Sequence, residues 1–165
     1  MVDYMRIARG IDQQSVANTW HQTKISMPYV AGDQRVPMIR QILLDVPLGS
    51  GDVPAPVADF VEYATVLTSK EVAAPPGPQD DEYIACFAQL ILNGSAAATD
   101  TAMVNKHHGD NVRYFDPPIA YPFDEIWLGT NTKNCAGVQW SATMIFYTME
   151  KMAIADILQA REELS

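Results

Sequence analysis

Seven clusters of Gly, Pro, Asn and Asp cut this chain of 165 residues into eight short runs. The breaks fall at Ala31–Arg35, Pro47–Pro56, Ala73–Asp81, Asn93–Asp100, Asn105–Asn111, Asp116–Asp124 and Gly129–Gly137. Several runs are rich in Val, Ile, Tyr, Trp and Thr. Such runs at near-regular spacing, with turn chemistry between them, predict an all-β sandwich or barrel.

Alternation within the runs supports strands. In Val36–Leu48 the residues Val36, Met38, Ile42, Leu44, Val46 and Leu48 keep a period of two that is broken only at Arg40. Val138–Thr148 sets Val138, Trp140, Ala142, Met144 and Phe146 on one side, and Gln139, Ser141 and Thr143 on the other. A half-buried strand turns its apolar set toward a core. Tyr83–Leu92 is apolar on both faces and predicts a strand covered on both sides; Asn93-Gly94 after it signals a tight turn. Val57–Leu67 fits helical spacing as well, but its Val, Tyr and Thr content favours a strand. In Ile154–Leu164 the spacing of Ile154, Ile157 and Leu158 predicts a helix that is marginal unless docked. Residues 1–15 precede the first clear strand and read as an extended arm. The expected organisation is arm 1–15, sandwich 16–150 and helical tail 151–165.

Charge narrows the function. Eleven Lys and Arg against twenty Asp and Glu give −9, of which residues 1–40 contribute +2. So acidic a surface is a poor partner for phosphate backbones, because that affinity needs many basic contacts. Arg6 and Arg9 with Tyr4 are the one basic-aromatic cluster, and two arginines neutralise too few phosphates; nucleic-acid contact is expected to be weak or absent. The first thirty residues show no basic patch followed by an apolar stretch, so no secretory leader is expected. No apolar run approaches the roughly 18–20 residues of a membrane-spanning helix.

Chemistry is sparse. There is no GxSxG elbow, no phosphate-binding Gly-rich loop and no HExxH. His107 and His108 are adjacent, so on a strand they point to opposite faces; a metal site would need them to converge with Asp110 and His21. Asp80-Asp81-Glu82 reads as solvation of a Pro-rich loop rather than as a calcium site. Cys86 and Cys135 lie too far apart for a CxxC motif; a disulfide stays open from spacing alone, with two buried thiols the simpler expectation. No enzyme, metal or cofactor is expected.

Eight strand-like runs with an arm and a terminal helix match an eight-stranded single jelly roll. The stretch Glu125–Ala160 (EIWLGTNTKNCAGVQWSATMIFYTMEKMAIADILQA) resembles the ending of small jelly-roll capsid proteins of environmental viruses. In those, a strand of the type I-W-L-G-x-N leads through a polar loop into a long last strand, a Lys-containing exit and a short helix. Lys24–Leu48 is similar to their first two strands. The resemblance spans about half of the chain and implies a structural virion protein, a coat subunit that assembles with copies of itself in rings of five or six. It departs from many coat proteins in lacking a strongly basic arm, which suits a shell lined by an internal membrane or by other capsid proteins. Expected contact residues are Tyr4, Arg6 and Arg9 of the arm, Pro75 and Pro76, Tyr114, Phe115 and Tyr121, and Ile157 and Leu158 of the helix. The rival expectation is a β-sandwich recognition module for a carbohydrate or a receptor, with Trp20, Trp127 or Trp140 as an exposed platform.

Overall fold

A computed structural model describes residues 4–45, 60–77, 79–80, 82–93, 103–108, 111–135 and 137–164. Among them run nine strands and one helix: β1 (Arg6–Gln13), β2 (His21–Ser26), β3 (Arg35–Asp45), β4 (Phe60–Thr68), β5 (Tyr83–Asn93), β6 (Met103–His108), β7 (Val112–Ala120), β8 (Glu125–Lys133), β9 (Trp140–Lys151) and α1 (Ile154–Glu163). The strands form two antiparallel sheets, ordered β1-β9-β3-β7 and β2-β8-β4-β5-β6. Omitting β6, the chain fills two four-stranded sheets by the crossing pattern of a jelly roll. The all-β sandwich and its short terminal helix are as expected; β6 is a ninth strand added at one edge.

The core lies between the sheets. Ile39, Ile42, Leu44 and Ile145 from the four-stranded sheet meet Ile25, Leu67, Ile126 and Leu128 from the other. Gly10 marks a close approach: a Cβ there would stand 2.1 Å from the Ile25 side chain, so a larger residue at this point of β1 would force Ile25 to shift. α1 docks through Ile157, which packs on Tyr29 and Val36, and through Arg161 over the Phe123 ring at 5.4 Å. No helix among the described residues is long and apolar enough to cross a membrane.

Five sequence expectations need correction. Within the expected arm 1–15, Arg6–Gln13 is a strand that pairs along its whole length with β9. The strand is hard to recognise because its inward positions are Ala8, Gly10 and Asp12, small or polar where a core strand normally shows apolar bulk. The break at Asn105–Asn111 gives way to β6, a short polar strand at the edge of the five-stranded sheet. The break at Asp116–Asp124 is crossed by β7, which tolerates Pro117 and Pro118 because it is an edge strand with an irregular register opposite Ile39 and Gln41. β8 likewise runs into the Gly129–Gly137 break, where Thr130 and Thr132 point inward. In α1, only Ile157 of the three expected face residues is buried; Ile154 and Leu158 remain exposed.

Arg40 is the extra residue of a β-bulge. Ile39 pairs with Tyr147 and Gln41 with Phe146, leaving Arg40 without a partner position on β9. The bulge exchanges the two faces of β3, so Ile39 and not Met38 enters the core. Arg40 itself turns to Glu150 (2.8 Å) and Thr148 (3.2 Å). The break in alternation at Arg40 thus has a structural cause. The turn signals at Pro47–Pro56 and at Gly94 lie outside the described residues.

Candidate functional site: the outer face of the four-stranded sheet

β9 alternates as expected but faces the opposite way. Ser141 and Thr143 point into the sandwich, while Trp140 and Met144 stand outside, each 41% exposed. The inversion follows from how the interior treats hydroxyls. Ser141 Oγ accepts hydrogen bonds from Thr65 Oγ1 (2.8 Å) and Thr130 Oγ1 (2.9 Å) of the opposite sheet, and Thr143 Oγ1 donates to the Leu43 carbonyl at 2.8 Å. Nearby, Gln14 Oε1 accepts from Thr132 Oγ1 (3.0 Å) and from the Gln139 amide (3.2 Å). Polar groups satisfied in this way can be buried without a large penalty. Further along β9 the same inward side carries Ile145, Tyr147 and Met149 into the core, and the outer side is left with Trp140, Ala142, Met144 and Phe146.

Register then assembles a face. Trp140 stands beside Gln13; Ile11, Ala142 and Asp45 form the next row; Arg9, Met144, Leu43 and Val112 form the third. Ile7, Phe146, Gln41 and Tyr114 form the fourth. Ile11 is 66% and Tyr114 72% exposed. Small Ala142 leaves a hollow of about 490 Å³, bordered by Arg9, Ile11, Asp45 and Met144. The thirteen positions of these four rows, at about 4.8 Å between strands and about 6.8 Å between rows, cover on the order of 400 Å². The charges that border the hollow are one cation and one carboxylate, Arg9 on β1 and Asp45 on β3. Neither has an ion-pair partner among the described residues.

The other sheet is covered. Trp20 lies flat on β8 at Gly129, where a Cβ would come within 2.0 Å of its ring, and its indole N–H donates to the Val72 carbonyl at 2.9 Å. Gln22 donates to Thr68 Oγ1 (2.9 Å) and accepts from the Val72 amide (2.8 Å). Ala64, Val66 and Thr68, which point outward from β4, are buried. Among the described residues, the outer side of β4 and β8 is therefore clothed by Trp20 and Gln22, whereas Ile11, Met144 and Tyr114 on the four-stranded sheet stand exposed; that face is the bare one.

Of the expected contact residues, the bare face brings together Arg9 and Tyr114. Tyr4 and Arg6 are exposed at the start of β1, Pro75 is exposed and Pro76 half-buried in the loop before β5, and Leu158 is exposed on α1. Phe115 is half-buried against the core with Arg113 above its ring at 5.3 Å. Tyr121 and Ile157 are corrected: both are interior. Tyr121 is wholly enclosed and donates to the Glu125 carbonyl at 2.8 Å; burial, with Glu125 and Asp124 nearby, pushes its hydroxyl pKa well up. Missed by sequence reasoning were Ile7, Ile11, Leu43, Met144 and Phe146. Their signal was the apolar alternation of β3 and β9 and the pair Ile7 and Ile11 on β1, which does not say which side a polar interior will claim.

The histidines do not converge. His21 is on β2 and the His107–His108 backbone on β6, the two opposite edges of one sheet, on the order of 19 Å apart at four strand spacings. Asp110 and Asp81 lie outside the described residues. Asp80 accepts from the Gly77 amide at 2.5 Å and Glu82 pairs with Lys70 at 2.9 Å, whose hydrogen bond lowers the Glu82 pKa. Among the described residues, no group of three His, Cys, Asp or Glu could hold a metal ion. Cys86 and Cys135 are not joined; β4 separates them, with Cys86 opposite Val66 and Cys135 near the Glu62 carbonyl.

No protein-family model matches this chain, and no curated protein matches its sequence.

Proposed function

We propose that this chain is a structural virion protein, a coat subunit that assembles with copies of itself into an icosahedral-type shell. The observation that carries the reading is the asymmetry of the two sheets. The outer face of the four-stranded sheet is on the order of 400 Å² and mostly apolar, with Gln13, Arg9, Asp45 and Gln41 among its positions. That is the size of the largest patch on many monomers, which often serves as an interaction site. The resemblance of Glu125–Ala160 and Lys24–Leu48 to small jelly-roll coat proteins supports it. Rings of five or six would close by heterologous contacts, one patch meeting a different patch of the neighbour. Exposed Ile154 and Leu158 on α1, beside Tyr29, offer one patch for such ring contacts and leave the sheet face for a separate one. In this reading the chain catalyses no reaction, holds no cofactor and resides in the virion; other coat proteins or an internal membrane are its further partners.

The exposed aromatics favour a second reading, a recognition module for a carbohydrate or a receptor. Trp140 and Tyr114 both stand on the bare face. They occupy opposite corners of it, about 20 Å apart along the strands, too far for one stacking platform. Trp20 and Trp127 are half-buried. Self-assembly is the better-supported function.

Negative-stain microscopy of the concentrated full chain tests it. Rings of five or six, or closed shells, are expected. A monomer that persists across concentration and salt contradicts it.

A further inference from the structure

We infer that two copies of this chain pair face to face through the bare sheet, about a two-fold axis that runs along β9. The inference rests on the self-assembly reading and names the surface and symmetry of one of its contacts. Rings closed by heterologous contacts need another contact to join ring to ring, and an isologous one does so by matching a patch to itself.

The charges select this axis. Arg9 lies on β1, to one side of β9, and Asp45 on β3, to the other side. Rotation about an axis along β9 exchanges the two sides, so Arg9 of each copy faces Asp45 of its mate. Both pairs form at once. Rotation about an axis across the strands would instead set Arg9 over the β1 strand of its mate, cation near cation. The reach is feasible: Arg9 shares a row with Met144 and Asp45 with Ala142, a stagger of about 7 Å along the strand, between sheets packed about 10 Å apart. Extended Arg and Asp side chains bridge that span. Met144 lies on the axis and meets Met144 of the facing copy one row from the Ala142 hollow, into which the flexible thioethers can turn.

The area agrees. Two faces on the order of 400 Å² each bury about 800 Å² in total, the size of a weak contact, which suits one link among several in a shell. Pairing offsets part of the desolvation cost that covering either charge alone would carry.

Charge exchange in the full chain tests the pairing, read by sedimentation equilibrium with particle formation followed separately by microscopy. Arg9→Asp alone and Asp45→Arg alone should each weaken the dimer at least about tenfold, because each sets like charges together twice. The double variant should restore it to within about threefold of the parent. Both side chains are bonded to nothing among the described residues, and circular dichroism checks that each variant folds. A double variant no better than the singles overturns the two-fold pairing. Singles that leave dimerisation unchanged also overturn it, and if particles still form, the coat reading survives without it. A parent chain that never self-associates removes the coat reading itself. If instead the chain stays monomeric and floats with phosphatidylserine vesicles, losing this with Arg9→Asp, the face belongs to a membrane and the pairing is overturned.

Discussion

Asp12 and His21 are joined across the sandwich, with His21 Nδ1 2.6 Å from the Asp12 carboxylate Oδ1. Asp12 is wholly enclosed on β1, and the same oxygen accepts from Thr23 Oγ1 at 2.6 Å. This contact ties an edge strand of one sheet to an edge strand of the other, where Gly10 leaves little room for apolar packing.

Asp12→Ala should therefore lower stability by about 2–3 kcal/mol, the worth of two hydrogen bonds to a charged group whose donors are then left unmatched. Urea unfolding followed by circular dichroism measures it. A midpoint unchanged from the parent would mean that the contact contributes nothing to folding.

Tyr121 sets an alkaline limit. Folded, its hydroxyl keeps its proton above the ordinary range, with burial the main cause. Unfolded, it releases the proton near pH 10, so above about pH 10 the unfolded state binds fewer protons and stability falls as pH rises. Tyr121→Phe should cost about 1 kcal/mol at neutral pH through the lost bond to Glu125. It should also make the alkaline decline shallower. Tyr83 and Cys86, whose pKa values burial raises as well, keep it from becoming flat. Thermal melts from pH 8 to 12 give both readouts.

Gly129→Ala should cost about 1–3 kcal/mol, because the new methyl meets the Trp20 ring. Trp20 must tilt outward and strain its hydrogen bond to Val72. The prediction is a lower melting temperature together with a red shift in tryptophan emission. A melting loss without an emission change would place the strain elsewhere.

How much of this was legible in the sequence depends on what each strand turns inward. β5 and β4 carry apolar residues on their covered faces, so period and composition agreed with the fold. β1 turns Ala8, Gly10 and Asp12 inward and offers no apolar stripe to read, which is why it looked like an arm. β6 is written in polar residues, and β7 in prolines that an edge strand alone accepts. The hardest case was β9. Its alternation was plain, but its orientation was decided by Thr65 and Thr130, distant residues whose hydroxyls match Ser141. The bare face was legible as a row of apolar residues and not as a surface. Arg9 and Tyr114 were found through exposure signals; Met144 and Ile11 were not.

Net charge sets the response to salt. Copies at −9 repel one another, and added salt or divalent cations screen that repulsion within a Debye length of about 10 Å at 0.1 M. Light scattering should show assembly strengthening from low to moderate ionic strength. A steady weakening over the same range would assign assembly to exposed ion pairs in place of the apolar face.

The most direct measurement is sedimentation velocity on a dilution series of the parent chain beside Met144→Lys, which puts a charge at the centre of the bare face. The account predicts that the parent's sedimentation coefficient climbs with concentration while the variant, equally folded, climbs far less. A parent that sediments as a monomer at every concentration, or a variant indistinguishable from it, would contradict the account.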